Sequence, residues 1–325
     1  MAPPTSLPGS GRIQRTIPVI LAGAISVYLI LLVSPQKVVD SIARARLDWF
    51  LPASIAFVVA SFYLDSAGLW VLFSRTVMRT PLREVLIVRA VTQFMGAVNL
   101  WLGQMGMAYY YSRRSNLPMT YLVGTFLLLF VVDLTDMFLF AGAVIGPTGT
   151  KFDTAFMISV AAGLMLLPLL LLGRRASEKR LGDLKEASLW YTKTGLRQLF
   201  APTFLIPTAD LLLLVFARVF RYPLRAFYVV IAMWSFHVDV PLGAGLVVAC
   251  FTLLLGSIPL TPQGVGILQA AGLFFFESFG APHDVLAALF AVSAATMAGH
   301  FLFGLYYLKG GLELMRTPPP AEPAG

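Results

Sequence analysis

The chain has 325 residues, of which 58% are hydrophobic and only 12% charged, and its mean hydropathy is +0.80. A soluble globular protein carries about 25% charged residues, so a soluble enzyme, a disordered chain and a disulfide-built fold are excluded. The net charge of +8 comes from cations clustered beside apolar runs; lipid headgroups and the positive-inside rule account for them, and nucleic-acid binding is excluded. The lone cysteine, Cys250, lies in an apolar run and rules out an intrachain disulfide or a cysteine metal cluster.

In chain order, residues 1–16 read as a disordered cytoplasmic tail in which Arg12 and Arg15 precede the first apolar run, 17–34. That run is expected to be a retained helix rather than a cleaved signal. A long apolar helix is expected over about 49–78, then a shorter one over 82–100, followed by an irregular stretch at 101–107. Spans follow over 119–146 and 154–173. The basic stretch 174–197 is expected to be a cytoplasmic linker, and one long apolar segment then runs to His237. A helix over 241–258, a Gly/Pro-broken stretch over 259–266 and a last span over 285–308 complete the domain; 317–325 is a second tail. The whole of 17–316 reads as one all-α, polytopic membrane domain.

A shift of 160 residues lays Pro81-Leu82 on Pro241-Leu242, and Leu86, Val88, Thr92, Gly96, Leu100 and Gly106 on Leu246, Val248, Thr252, Gly256, Leu260 and Gly266. This internal match divides the domain into repeat one, about 49–146, and repeat two, about 204–310. Each repeat is expected to hold a long helix, a broken or re-entrant segment and a spanning helix. The excess of Arg at 75–83 and 113–114, against none at 237–241 and 277–284, suggests that the repeats are inverted, although Lys37, Arg44 and Arg46 then fall on the external side.

The stretch 258–271 carries Pro259, Thr261, Pro262, Gly264, Gly266 and Ala270 in the spacing of one membrane family's signature, with Gln263 and Gln269 replacing a Gly and a Glu. Asn99, Gly103 and Gly106 match a companion motif in which Leu102, Gln104 and Met107 replace Pro, Arg and Glu, and Asp133 or Asp136 partly meets a third. In these residues the chain resembles the transmembrane region of lysylphosphatidylglycerol synthases, whose stand-alone relatives are called flippase-like domain proteins. The resemblance implies handling of an anionic or glycan-carrier lipid, a phospholipid or a polyprenyl-linked one. It does not imply synthase activity, because no polar stretch here is long enough for the aminoacyl-transferring domain.

Charge at bilayer depth costs about 2.5–3.5 kcal/mol on insertion scales, so such residues face a cavity or a partner by default. Asp65, Asp133, Asp136, Arg225 and His300 are the intramembrane candidates. Asp136 and His300 are expected to approach each other, as a proton-carrying pair or as a structural lock between helices. Arg218, Arg221 and Arg225 lie at i, i+3 and i+7, a basic stripe if one helix carries them. The stripe could grip phosphates; in the other reading the helix breaks near Arg221-Tyr222-Pro223 and the arginines merely mark an interface.

The broken segments supply neutral groups for a lipid cavity: Asn99, Gln104, Gly106, Pro262, Gln263, Gly264, Gly266 and Gln269. No catalytic constellation or metal motif stands out, and no cofactor is expected. The leading expectation is a flippase-like lipid transporter of a bacterial inner membrane with both termini cytoplasmic. The alternative is a non-transporting scaffold or accessory subunit of an envelope-lipid biosynthesis complex, with protein partners of that machinery; an intramembrane transferase is a weaker third reading.

Overall fold

The computed structural model describes residues 34–98, 100–144, 206–256 and 265–316, with a few isolated positions besides. The span expected at 154–173, the linker at 174–197, both tails and most of the first apolar run lie outside the described residues. Every regular element among the described residues is an α-helix.

The first, α1 (Pro35–Arg44), was not foreseen: it is short and polar, with Pro35 opening it. Proline suits a first helical position because the missing N–H has no partner there in any case. Next come α2 (Leu47–Thr76), α3 (Leu82–Val98), α4 (Leu100–Ser115) and α5 (Met119–Val144). They are followed by α6 (Thr208–Arg218), α7 (Arg221–Ser235), α8 (Leu242–Gly256), α9 (Ile267–Phe276) and α10 (Pro282–Arg316). Segments of α2, α5 and α10, namely Leu47–Thr76, Met119–Phe140 and Pro282–Leu314, are long and apolar enough to cross a membrane.

One sequence expectation needs correction. Residues 101–107 are not irregular but lie inside α4. Glycine weakens a helix in water, yet within packed apolar helices it permits close approach instead: a Cβ on Gly103 would lie 2.5 Å from the Thr92 carbonyl oxygen and 3.0 Å from the Gly96 Cα. The apolar segment ending at His237 is interrupted at Val219-Phe220, between α6 and α7, next to the break expected near Arg221-Tyr222-Pro223. Pro223 falls in the first turn of α7, where it has no N–H to offer Val219 and its ring would crowd that carbonyl in a continuous helix.

The helices α3 and α4 pack on each other, as do α8 and α9. At 1.5 Å per residue α3 is about 25 Å long and α9 about 15 Å, short of the ~30 Å hydrocarbon layer. The open end of the α3–α4 pair is closed by Arg114–Glu84 (3.1 Å) and by the Tyr110 hydroxyl donating to Glu84 (3.1 Å). It lies at the Thr76 end of α2, where the Tyr121 hydroxyl donates to the Thr76 carbonyl (2.8 Å). The α8–α9 pair opens toward the other end. There Arg46 N–H donates to the Ser235 carbonyl (2.8 Å), and Ser41 Oγ donates to Asp284 at the start of α10 (2.6 Å).

Two apolar clusters fill the interior, one drawing mainly on α7, α8, α9 and α10 and the other on α2, α4, α5 and α6. Cys250 is buried in the first. With Cys250→Ala as background, single cysteines at Asn116 and Ala281 are expected to react with a membrane-impermeant maleimide from opposite sides of the bilayer. Labelling of both from one side would overturn this placement of the two helix pairs.

Candidate functional site

Near the middle of α2, α3 and α5, three predominantly apolar helices, stand Asp65, Arg89 and Asp133. The corner between α6 and α7 supplies the rest: Arg218 is the last residue of α6 and Arg221 the first of α7. Val219 and Phe220 between them keep near-helical backbone, so Arg218 and Arg221, three residues apart, face the same place although two helices carry them.

Arg218 grips Asp133 through two parallel hydrogen bonds, Nε–H to Oδ1 at 2.5 Å and Nη2–H to Oδ2 at 2.8 Å. Arg221 Nη1–H donates to Asp133 Oδ2 at 2.5 Å. Asp65 faces the same group from α2, with Oδ1 at 3.1 Å from Arg218 Nη1 and 3.5 Å from Arg221 Nε, while its Oδ2 pairs with Arg89. Two carboxylates thus bind three guanidinium groups carried by α3, α6 and α7. Arg218 is 2% exposed, the largest fully buried side chain of the described residues.

A two-pronged arginine–carboxylate contact is geometrically specific and strong, and arginine is the cation best suited to a buried pair. The helix opposite has made room for it: a Cβ on Gly68 would lie 2.8 Å from Arg218 Cγ and 2.9 Å from its Nη1. Gly68 and Arg89 were missed by the sequence reading. Arg89 was detectable, because a charge within the apolar helix over 82–98 obeys the same rule as Asp65; Gly68 carried no such signal.

Around this centre lie polar groups without protein partners among the described residues. Asp136, three residues from Asp133 on the same face of α5, is fully buried and neither carboxylate oxygen is hydrogen-bonded. Gln93 Oε1, one turn beyond Arg89, and Ser66 Oγ, beside Asp65, are likewise unsatisfied. Arg225, one turn beyond Arg221, lies within electrostatic reach of Arg221, Asp133 and Asp65 but forms no ion pair among the described residues. His300 on α10 feels Arg89 and Asp65, and its Nδ1 is buried without a partner.

No hydrogen bond or ion pair joins Asp136 to His300 among the described residues; both carboxylate oxygens of Asp136 and Nδ1 of His300 are buried without one. The basic stripe is split as well. Arg218 and Arg221 are taken up by the two aspartates, and Arg225 alone is left.

Of the residues expected to line a lipid cavity, Asn99, Pro262, Gln263 and Gly264 lie outside the described residues. Gln104 and Gly106 are half-buried on α4. Gly266 has φ 90°, a conformation that glycine alone adopts without strain, and its N–H donates to Gln269 Oε1 at 2.6 Å. Gln269 Nε2–H donates to Ser293 Oγ (3.0 Å) and the Leu289 carbonyl (3.4 Å). Its amide is thus spent on fixing the start of α9 against α10. Among the described residues, no three His, Cys, Asp or Glu side chains gather in a way that could hold a metal ion.

Comparison with known families gives one match: the family model described as lysylphosphatidylglycerol synthase TM region covers residues 19–304. A comparison with curated proteins gives no match.

Removing one partner of a buried ion pair strands the other and costs about 3–5 kcal/mol. Asp133→Asn and Arg218→Gln are each expected to destabilise the detergent-solubilised protein by about that much, read as a fall in unfolding temperature. Gly68→Val should act in the same direction by displacing Arg218. A surface pair, Arg75–Asp210 (3.4 Å), should change stability by no more than about 1 kcal/mol when broken.

Proposed function

The chain belongs to the lysylphosphatidylglycerol synthase TM region family, and from that premise we propose that it binds an anionic lipid headgroup at its charged centre and carries it between leaflets. One observation carries the reading: Arg225, half-buried, is a fourth guanidinium within electrostatic reach of Asp65 and Asp133, which three others already share, and it is ion-paired with no carboxylate among the described residues, Asp136 included. An unbalanced cation in an apolar interior is costly, and a phosphate offers the two-pronged acceptor that arginine favours. The phosphate of a phospholipid or a polyprenyl-linked lipid meets that need, whereas a zwitterionic headgroup would bring a second cation.

Two short helix pairs that open toward opposite ends of α2 support movement rather than mere binding. In this reading they are inverted halves, each stopping part of the way across and leaving the remaining depth to the headgroup. The activity is transport and not catalysis, in a bacterial inner membrane with both termini on the cytoplasmic side. The alternative role, a non-transporting accessory subunit for envelope-lipid synthesis, draws support from the complete pairing of Arg218 with Asp133, which ties α5 to α6 as a lock would.

Reconstituted vesicles containing a fluorescent phosphatidylglycerol separate the two. A charge-assisted hydrogen bond contributes about 1.5–3 kcal/mol, so Arg225→Gln should slow transfer of the labelled lipid tenfold to a hundredfold, with the unfolding temperature nearly unchanged. Transfer by Arg225→Gln at the parent rate, or no protein-dependent transfer at all, would favour the accessory role.

A further inference from the structure

At the Arg46 end of α2 a cavity of about 210 Å³ lies between Arg46, Trp49, Trp234 and Ser235. It is distinct from the charged centre, since Asp65 lies ~28 Å farther along the same helix at 1.5 Å per residue. A water molecule occupies about 30 Å³ in the liquid, so the cavity has room for a phosphate with its neighbouring glycerol carbons. Of the four lining residues Arg46 alone is charged.

The walls are held in place. Arg46 N–H donates to the Ser235 carbonyl (2.8 Å), and a His237 ring nitrogen, Nε2, pairs with the Arg44 carbonyl (3.0 Å). The Trp234 indole N–H is committed to the Val240 carbonyl (2.8 Å), which fixes its ring. Beneath them Phe50 meets Phe236 edge-on at 5.7 Å and stacks with Tyr228 at 6.2 Å. The Arg46 guanidinium has no ion pair among the described residues, and the Trp49 indole N–H has no acceptor there.

Of the lining residues Trp49 is an apolar side chain turned outward, 59% exposed. A free anion has no use for such a ring beside it, but an acyl chain does. Tryptophan is enriched at the level of the headgroups, where its ring is buried and its N–H stays wet. An arginine between two tryptophans at the boundary of a spanning helix matches the layered chemistry of a phospholipid.

We propose that this cavity is a peripheral binding site for an anionic phospholipid of the adjoining leaflet, with the phosphodiester on Arg46 and the Trp49 indole and the glycerol against Trp234. The site rests on the chain's placement in a membrane and does not depend on lipid transfer.

The test uses the full chain carrying Arg225→Gln, so that lipid at the charged centre does not contribute, and native mass spectrometry to count retained lipid. Titration with phosphatidylglycerol is expected to give one tightly held molecule. Adding Arg46→Gln should weaken retention about tenfold, Arg46→Lys by no more than about threefold, and Trp49→Leu by an intermediate amount. Phosphatidylcholine should be held weakly in every case, and soluble glycerol phosphate should not compete. Equal retention with and without Arg46→Gln overturns the proposal, as does equal retention of phosphatidylcholine, which would make the cavity an apolar annular contact. Full competition by glycerol phosphate would make it a free-anion site. If Arg46→Gln lowers the unfolding temperature, retention by Trp49→Leu decides: parent-like retention refutes the site, and weakened retention supports it. Loss of lipid transfer elsewhere in the protein leaves this outcome untouched.

Discussion

Charge placed in an apolar medium must be answered by charge, and that requirement organises this protein. The bidentate contact between Arg218 and Asp133 joins α6 to α5, Asp65 brings in α2, and Arg89 brings in α3. Apolar packing alone would let these helices slide, because lipid tails and leucine side chains are nearly equivalent surroundings. The ion pairs have no substitute partner in lipid, so they fix register where hydrophobicity cannot.

The same medium disciplines the backbone. Helices that stop part of the way across leave polar groups that need protein or water beside them. The second helix pair meets this with Gln269, whose side chain satisfies the Gly266 N–H and then anchors to Ser293 and Leu289 on α10. The family signature has Glu at this place by resemblance, and Gln keeps the acceptor for Gly266 while adding a donor for α10. A neutral amide thus does the bracing without adding another buried charge.

Much of this architecture could be read from the sequence. Uninterrupted apolar length marked the spanning helices, and the rarity of charge within them singled out Asp65, Asp133, Asp136, Arg225 and His300. Pairing was not legible: Asp133 and Arg218 are far apart in the chain, and nothing local to either names the other. Symmetry suggested Asp136 with His300, but no hydrogen bond or ion pair joins them among the described residues. Glycine misled at 101–107, where rules learned from helices in water predict a break and close packing sustains a helix instead. The break near Pro223 was legible, because proline lacks the N–H that a continuous helix needs there.

The link at Val219-Phe220 has a consequence for spacing. Arg218 precedes it and Arg221 follows it, and one oxygen, Asp133 Oδ2, accepts from both. The two helices therefore meet at a single atom of α5, with two residues of near-helical backbone between the contacts. Adding or removing one residue in that link would turn one guanidinium away from the carboxylate while the other stayed, so the length of the link is as constrained as the charges it joins.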